Sequence, residues 1–253
     1  MQGRPWSKER LKAVRALRER DGREEARLQI LEGPRLVGEA LAAGRVQEIL
    51  VTAEAEATTW RVRAPDIPVT VLPSGDLERI ADARSPQNVL ALGPLLPLDS
   101  AENLLANSER VLLLDGVQDP GNCGSLLRSA AAFGVQSVLW GEGTPDRAHP
   151  RLLRASAGAV FRLGMAAVEV HSISALARRT QHTILLPHVK GGQELASVSV
   201  PRRWILVAGS EGRGASLDDK AALKLTIPMA RGVESLNVGA ALAVILAHLA
   251  RRD

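Results

Sequence analysis

The sequence has one cysteine, no tyrosine and only two phenylalanines in 253 residues. With Cys123 alone no internal disulfide is possible, so the fold must be held by its apolar core. The five histidines are scattered without ligand spacing and none is near Cys123, which excludes a recognisable metal centre. So few aromatics argue against a module that stacks bases on an open sheet. No apolar run is long enough for a membrane span. The nearest, residues 238–250, is short, alanine-rich and contains His248. The N-terminal stretch is charged and lacks the apolar core of a signal peptide. These absences describe a soluble, cytoplasmic protein with no membrane and no metal among its partners.

Familiar nucleotide-site motifs are missing too. No Gly-x-Gly-x-x-Gly follows a strand. Gly209-x-x-x-x-Gly214 is followed by Ala215 where a phosphate loop requires lysine. Ser210 directly follows Gly209, so this is no nucleophile elbow either. A dinucleotide- or ATP-using enzyme is therefore disfavoured.

What is present is an apolar content of 45%, enough for a sizeable core, and a length that suits one large or two small domains. Residues 1–35 hold ten Arg or Lys against six Asp or Glu, so the net charge of +4 resides there and the remainder is balanced. Such a segment is either a nucleic-acid-binding face or a salt-bridged, solvated helix.

Periodicity divides the chain in two. Ser7 caps a helix reaching Arg20 and ended by Asp21-Gly22. Strands are expected at 28–31, 46–51, 67–72 and 89–92, with a helix opened by Gly33-Pro34 and a short one at 75–81. Residues 1–92 thus form a small α/β domain, and 93–109 a linker. In residues 110–253, strands at 111–114, 138–140, 165–170, 183–186, 204–208 and 225–227 alternate with helices at 122–133, 152–158, 172–179 and 237–250. Short apolar strands alternating with helices predict a parallel sheet covered on both faces.

Three glycine-rich, polar junctions follow strands of this second domain, where open α/β sheets bind ligands. The first runs Asp115-Gly-Val-Gln-Asp-Pro-Gly-Asn-Cys-Gly-Ser-Leu-Leu-Arg128, with Asn122 suited to cap a helix. The second is Gly209-Ser-Glu-Gly-Arg-Gly214, unusual for a carboxylate, Glu211, among glycines. The third is Ile227-Pro-Met-Ala-Arg-Gly-Val-Glu-Ser-Leu-Asn237, where Ser235 or Asn237 could cap the closing helix. Each alone is compatible with an ordinary strand–turn–helix junction.

Together, in this order, the three junctions resemble the SpoU/TrmH family of SPOUT-class RNA methyltransferases. Arg154-Ala-Ser-Ala-Gly158 resembles the family as well. Leu31-Glu-Gly-Pro-Arg-Leu-Val-Gly-Glu-Ala-Leu41 is similar to the N-terminal substrate-binding domain of many members, itself like a small ribosomal-protein RNA-binding fold. Two departures are Asn88 in Ser85-Pro-Gln-Asn-Val89, where glycine is expected, and Gly239, where a small polar residue is usual.

The resemblance implies a C-terminal trefoil-knotted SPOUT domain behind the N-terminal RNA-binding domain, a homodimer, and S-adenosyl-L-methionine as methyl donor. It implies methylation of a ribose 2′-hydroxyl. Ribosomal RNA is favoured over transfer RNA by the type of N-terminal domain, and a non-catalytic RNA-binding relative remains the further alternative. Gly209, Ile227 and Leu236 match cofactor-holding positions. Arg128 matches the catalytic arginine. A guanidinium, whose pKa lies above about 12, suits stabilising a developing oxyanion better than removing a proton. Asn122 would orient the arginine or the ribose, Glu211 would pair with Arg128, and Ser235 and Asn237 would hydrogen-bond near the transfer point. Cys123 is expected to be a buried filler.

Overall fold

The computed structural model describes residues 6–233 and 235–250. Glu234 of the third junction, and Arg4 of the basic segment, lie outside the described residues. Two compact units emerge. The first takes the chain up to Leu96 together with Asp146–Phe161. The second takes Pro97–Pro145 and the chain from Arg162 onward.

In the first unit, α1 (Lys8–Ala16) and α2 (Arg20–Ala26) precede β1 (Leu28–Glu32), α3 (Pro34–Ala42), β2 (Glu48–Val51), α4 (Glu54–Arg63), β3 (Val69–Val71), α5 (Ser74–Ile80) and β4 (Val89–Pro94). The sheet order is β1-β4-β2-β3, antiparallel except between β2 and β3. Val14 and Leu17 join Leu77 and Ile80 in a core over β1 and β4. Ser7 caps α1, its hydroxyl accepting from the Arg10 N–H at 3.2 Å.

The single helix expected up to Arg20 is two. The chain breaks after Ala16, and Arg23 fixes the junction by donating to the carbonyls of Leu17 and Arg18 at 3.0 and 2.6 Å. Helix α4 was not foreseen, because only Ala57 and Trp60 of its ten residues are buried and no apolar stripe marks it. The basic segment is also less free than its composition suggests. Arg10 is buried against Glu48, and Arg23 against Asp146 at 2.5 Å. Arg15 and Arg18 remain exposed. Asn88 adopts φ 44°, a left-handed conformation that glycine favours and asparagine tolerates, so the turn survives the substitution.

The second unit contains α6 (Ala101–Asn107), β5 (Arg110–Asp115), α7 (Pro120–Ala132), β6 (Ser137–Trp140), β7 (Gly164–Ala167), α9 (Ile173–Arg179), β8 (Thr183–Pro187), β9 (Gln193–Glu194), β10 (Trp204–Gly209), β11 (Leu223–Thr226) and α10 (Val238–Leu249). Between β6 and β7 the chain enters the first unit to form α8 (Pro150–Ser156), which packs on β1. The seven strands are parallel in the order β7-β6-β5-β10-β8-β11-β9. Alternate residues of the central strands, Val111 and Leu113 of β5 with Ile205 and Val207 of β10, share a core with α6 and α9. Helix α10 packs on α7 and β10.

Three local expectations shift. Helix α7 begins at Pro120, and Asp119 rather than Asn122 is its cap, accepting the Asn122 N–H at 2.8 Å. Strand β7 stops at Ala167 because its partner β6 ends at Trp140, leaving 170–172 to a 3₁₀ turn. Strand β11 ends at Thr226, which places Ile227 in the loop beyond it.

Candidate active site

The junctions after β5, β10 and β11 meet at one end of the parallel sheet. Pro120 at the first helical position of α7 needs no N–H partner, and Asp119 satisfies the next turn. This sets Asn122 in the first turn, where its Nδ2 donates to Glu211 Oε1 at 2.5 Å. Asn237 Nδ2 donates to the same oxygen at 3.1 Å. Asn237 also caps α10, its Oδ1 accepting from the Gly239 N–H at 2.9 Å. One carboxylate oxygen therefore ties together residues from all three junctions.

Glu211 is presented by a tight loop. Ser210 and Gly214 exchange backbone hydrogen bonds at 2.9 Å in both directions. Gly209 is required here, since a Cβ would stand 2.2 Å from the Ala215 nitrogen. Beyond the loop, Asp115 at the end of β5 is buried and accepts the Ser216 N–H at 2.6 Å, the Ser216 hydroxyl at 2.7 Å and the Leu217 N–H at 3.1 Å. Asp115 thereby fixes where the β10 loop returns. It stood at the start of the first junction, but a carboxylate ending a strand gave no sign of its partners 101 and 102 residues away.

A cavity of about 1020 Å³ opens beside this cluster, and Gly209, Glu211, Ser235, Leu236 and Asn237 all line it. Ile227, Ser235 and Leu236 line an adjoining cavity of about 110 Å³. Leu186, Pro187, Val189 and Ala241 supply apolar wall, and His188, Lys220 and Lys224 border the larger space. These last three carried no motif signal in the sequence.

Arg128 is placed differently. It lies exposed on α7, lines neither cavity, and makes no hydrogen bond or ion pair among the described residues. The pairing expected between Glu211 and Arg128 is not formed among the described residues; Glu211 Oε1 accepts from Asn122 and Asn237 instead. Cys123 is buried and its Sγ donates to the Val117 carbonyl at 3.2 Å. Burial, with the Asp119 charge adding to it, pushes the thiol up to about 12, so it stays protonated and unreactive at neutral pH. Among the described residues no group of three His, Cys, Asp or Glu could hold a metal ion, and no helix is long and apolar enough to cross a membrane.

Comparison with known proteins adds two domain matches. Residues 109–247 match the SpoU rRNA Methylase family, and residues 8–91 match the MRM3-like substrate binding domain. The chain is 31% identical over 228 residues to the 23S rRNA (guanosine(2553)-2′-O)-methyltransferase RlmP of Bacillus subtilis, covering 87% of each chain. Among solved structures it is similar to a TrmH-family protein of Porphyromonas gingivalis, with a TM-score of 0.83, 35% identity and coverage of 99% of this chain and 100% of that one. It also shares its fold with the SpoU methyltransferase AviRb of Streptomyces viridochromogenes, solved in complex with AdoMet, at a TM-score of 0.82 and 24% identity over 97% of this chain and 98% of that one.

Proposed function

The chain belongs to the SpoU rRNA methylase family, and from that premise we propose that it transfers the methyl group of S-adenosylmethionine to a ribose 2′-hydroxyl of ribosomal RNA. The observation that carries this reading is the Glu211 carboxylate joining Asn122 and Asn237 at the edge of a large cavity in the methylase unit.

The cavity suits the methyl donor. Apolar wall from Leu186, Val189 and Leu236 accepts a flat adenine, and the glycine-bordered loop leaves backbone groups accessible to it. Gly209, Ile227 and Leu236 would hold the donor, which supplies a methyl group on a sulfonium. The protein's task is to position a weakly nucleophilic hydroxyl. Ser235 and Asn237, both exposed to the cavity, offer hydrogen bonds at its mouth. Glu211 holds the amides of Asn122 and Asn237 in fixed orientation. The Arg128 guanidinium stabilises charge developing on the ribose oxygen.

Arg128 is exposed on α7, has no partner among the described residues and lines neither cavity, which fits a homodimer in which each subunit lends Arg128 to its partner's site. The unit of residues up to 96 with 146–161, rather than 1–92 alone, serves as the RNA-binding domain. The unit of 97–145 with the chain from 162 onward, which takes in α6 of the expected 93–109 linker, serves as the methyltransferase domain with the trefoil knot of the SPOUT class. A cytoplasmic location accords with action on ribosomal RNA.

The test is calorimetry with S-adenosylmethionine, followed by radiolabel transfer to ribosomal RNA and to transfer RNA and mapping of the product. Cofactor binding and 2′-O-methyl on ribosomal RNA are expected. Methyl on a base, or on transfer RNA alone, would replace this reading. RNA binding without cofactor binding would make the chain a non-catalytic relative.

A further inference from the structure

The first unit has a cavity of its own, about 330 Å³, and none of its lining residues borders the methylase cavities. Leu36, Ala83 and Ala157 form apolar wall, and Ser85, Gln87 and Arg154 are polar. Arg154, from the motif that the transfer site does not use, is locked in place. Its two terminal nitrogens donate to Glu32 at 2.7 Å and to Asp82 at 2.9 Å. Glu32 is itself buried and accepts the Asp82 and Ala83 N–H groups, each at 3.2 Å. The result is a rigid planar cation whose charge is already met by two carboxylates.

The other polar groups are unspent. Ser85 and Gln87 make no hydrogen bond among the described residues, and neither does Arg35 at the rim. Gly33, at φ 92°, leaves room for Gln87, whose Oε1 lies only 3.2 Å from where a Cβ would be. A bare anion is a poor occupant at Arg154, whose charge Glu32 and Asp82 already meet. A flat, neutral, hydrogen-bonding ring is a good one. It can stack on a guanidinium plane and an apolar wall while an amide reads its edge. An anion attached to that ring would reach Arg35.

We propose that this cavity receives one unstacked nucleotide of the substrate RNA, its base against Arg154 and Gln87 and its phosphate at Arg35. The proposal rests on the RNA-methyltransferase reading only in taking RNA as the source of the nucleotide.

Two measurements on the full chain test it. In the first, each of the four ribonucleoside 5′-monophosphates, ribose 5-phosphate and inorganic phosphate is titrated while the Gln87 side-chain amide is followed by NMR. At least one nucleotide should shift that signal, the two base-free phosphates should not, and Ser85→Phe, which fills the cavity from an exposed position, should abolish the shift. No response to any nucleotide, or an equal response to inorganic phosphate, overturns the proposal. In the second, affinity for ribosomal RNA should fall about tenfold in Gln87→Ala and in Ser85→Phe. Arg35→Gln should lower the salt dependence by about one phosphate contact. Cofactor affinity and melting temperature should be unchanged. If the parent methylates RNA and both cavity variants bind it as the parent does, the cavity assignment fails while the enzymatic reading stands. If the parent methylates no RNA, that reading fails and the nucleotide titration alone decides the cavity.

Discussion

Asn122, in the first turn of α7, donates its side-chain amide to Glu211 Oε1, 89 residues further along the chain. The same oxygen serves Asn237, so removing the carboxylate frees two amides at once. Glu211 is exposed, and water can replace it as acceptor. Glu211→Ala should therefore cost little stability, within about 1 kcal/mol. Methyl transfer should fall on the order of 10²-fold, as when a preorganised polar contact is lost. Glu211→Gln keeps an acceptor and should lie between. Thermal melts beside single-turnover transfer measure both. An inactive variant that is also unfolded would assign Glu211 to the fold instead.

Asp115 is the buried counterpart. Its carboxylate accepts from Ser216 twice and from Leu217 once. Asp115→Ala leaves those backbone N–H groups without their acceptor, at a cost of about 1–3 kcal/mol. The loop it releases carries Glu211 and borders the cavity. Cofactor affinity should therefore weaken about tenfold or more, with a smaller loss in transfer rate at saturating cofactor. Unchanged calorimetric affinity would show that the loop holds its place without Asp115.

These two carboxylates mark how far the sequence could be read. The parallel sheet was legible because β5 and β10 are short apolar runs in an alternating α/β order, and all three junctions follow strands. Asn122, Glu211 and Asn237 stood out as polar residues in glycine-rich turns. Their sharing of one oxygen did not, since local patterns carry no information about contacts 89 and 26 residues apart. The entry of residues 146–161 into the first unit was equally silent. It depends on long-range pairs such as Arg154 with Glu32 and Arg23 with Asp146. Helix α4 was missed for a local reason, its nearly polar surface.

His182 makes stability depend on pH. Its ring is buried, with Nε2 facing the Ser108 carbonyl at 2.9 Å and Nδ1 facing the Thr180 hydroxyl at 2.8 Å. A carbonyl only accepts, so Nε2 carries the proton, while the one hydrogen of the Thr180 hydroxyl faces two acceptors, Nδ1 and the Leu176 carbonyl at 2.8 Å. Burial lowers the ring's pKa, and the Ser108 carbonyl opposes this only in part. The unfolded chain therefore takes up its proton first as pH falls through about 6.5. The contribution is fully present above that value and declines below it until the lowered folded value is passed. Melting temperature should drop between pH 7.5 and 5.5, and His182→Gln should flatten the drop. Part will remain, because burial also lowers His149. An identical drop in the His182 variant would refute the assignment.

Arg128 carries the sharpest prediction. It is the ninth residue of α7, more than two turns from the helix start at roughly 3.6 residues per turn, so it cannot serve as a cap. It is exposed and has no partner among the described residues, so the fold has no evident need of its guanidinium. Arg128→Lys should fold and melt like the parent. If Arg128 makes a planar, forked contact to the ribose oxygen or its phosphate, lysine cannot reproduce it. Transfer should then fall on the order of 10²-fold or more. Cofactor affinity should hold, because Arg128 lines neither cavity. The shared-site dimer adds a second outcome. Chains carrying Arg128→Ala and chains carrying Asn237→Ala are each expected to be inactive, yet a mixed dimer contains one site with both residues intact. Single-turnover transfer by verified mixed dimers should therefore recover part of the parental activity. No recovery would confine the site to one subunit. Near-normal transfer by the lysine variant would remove Arg128 from catalysis altogether.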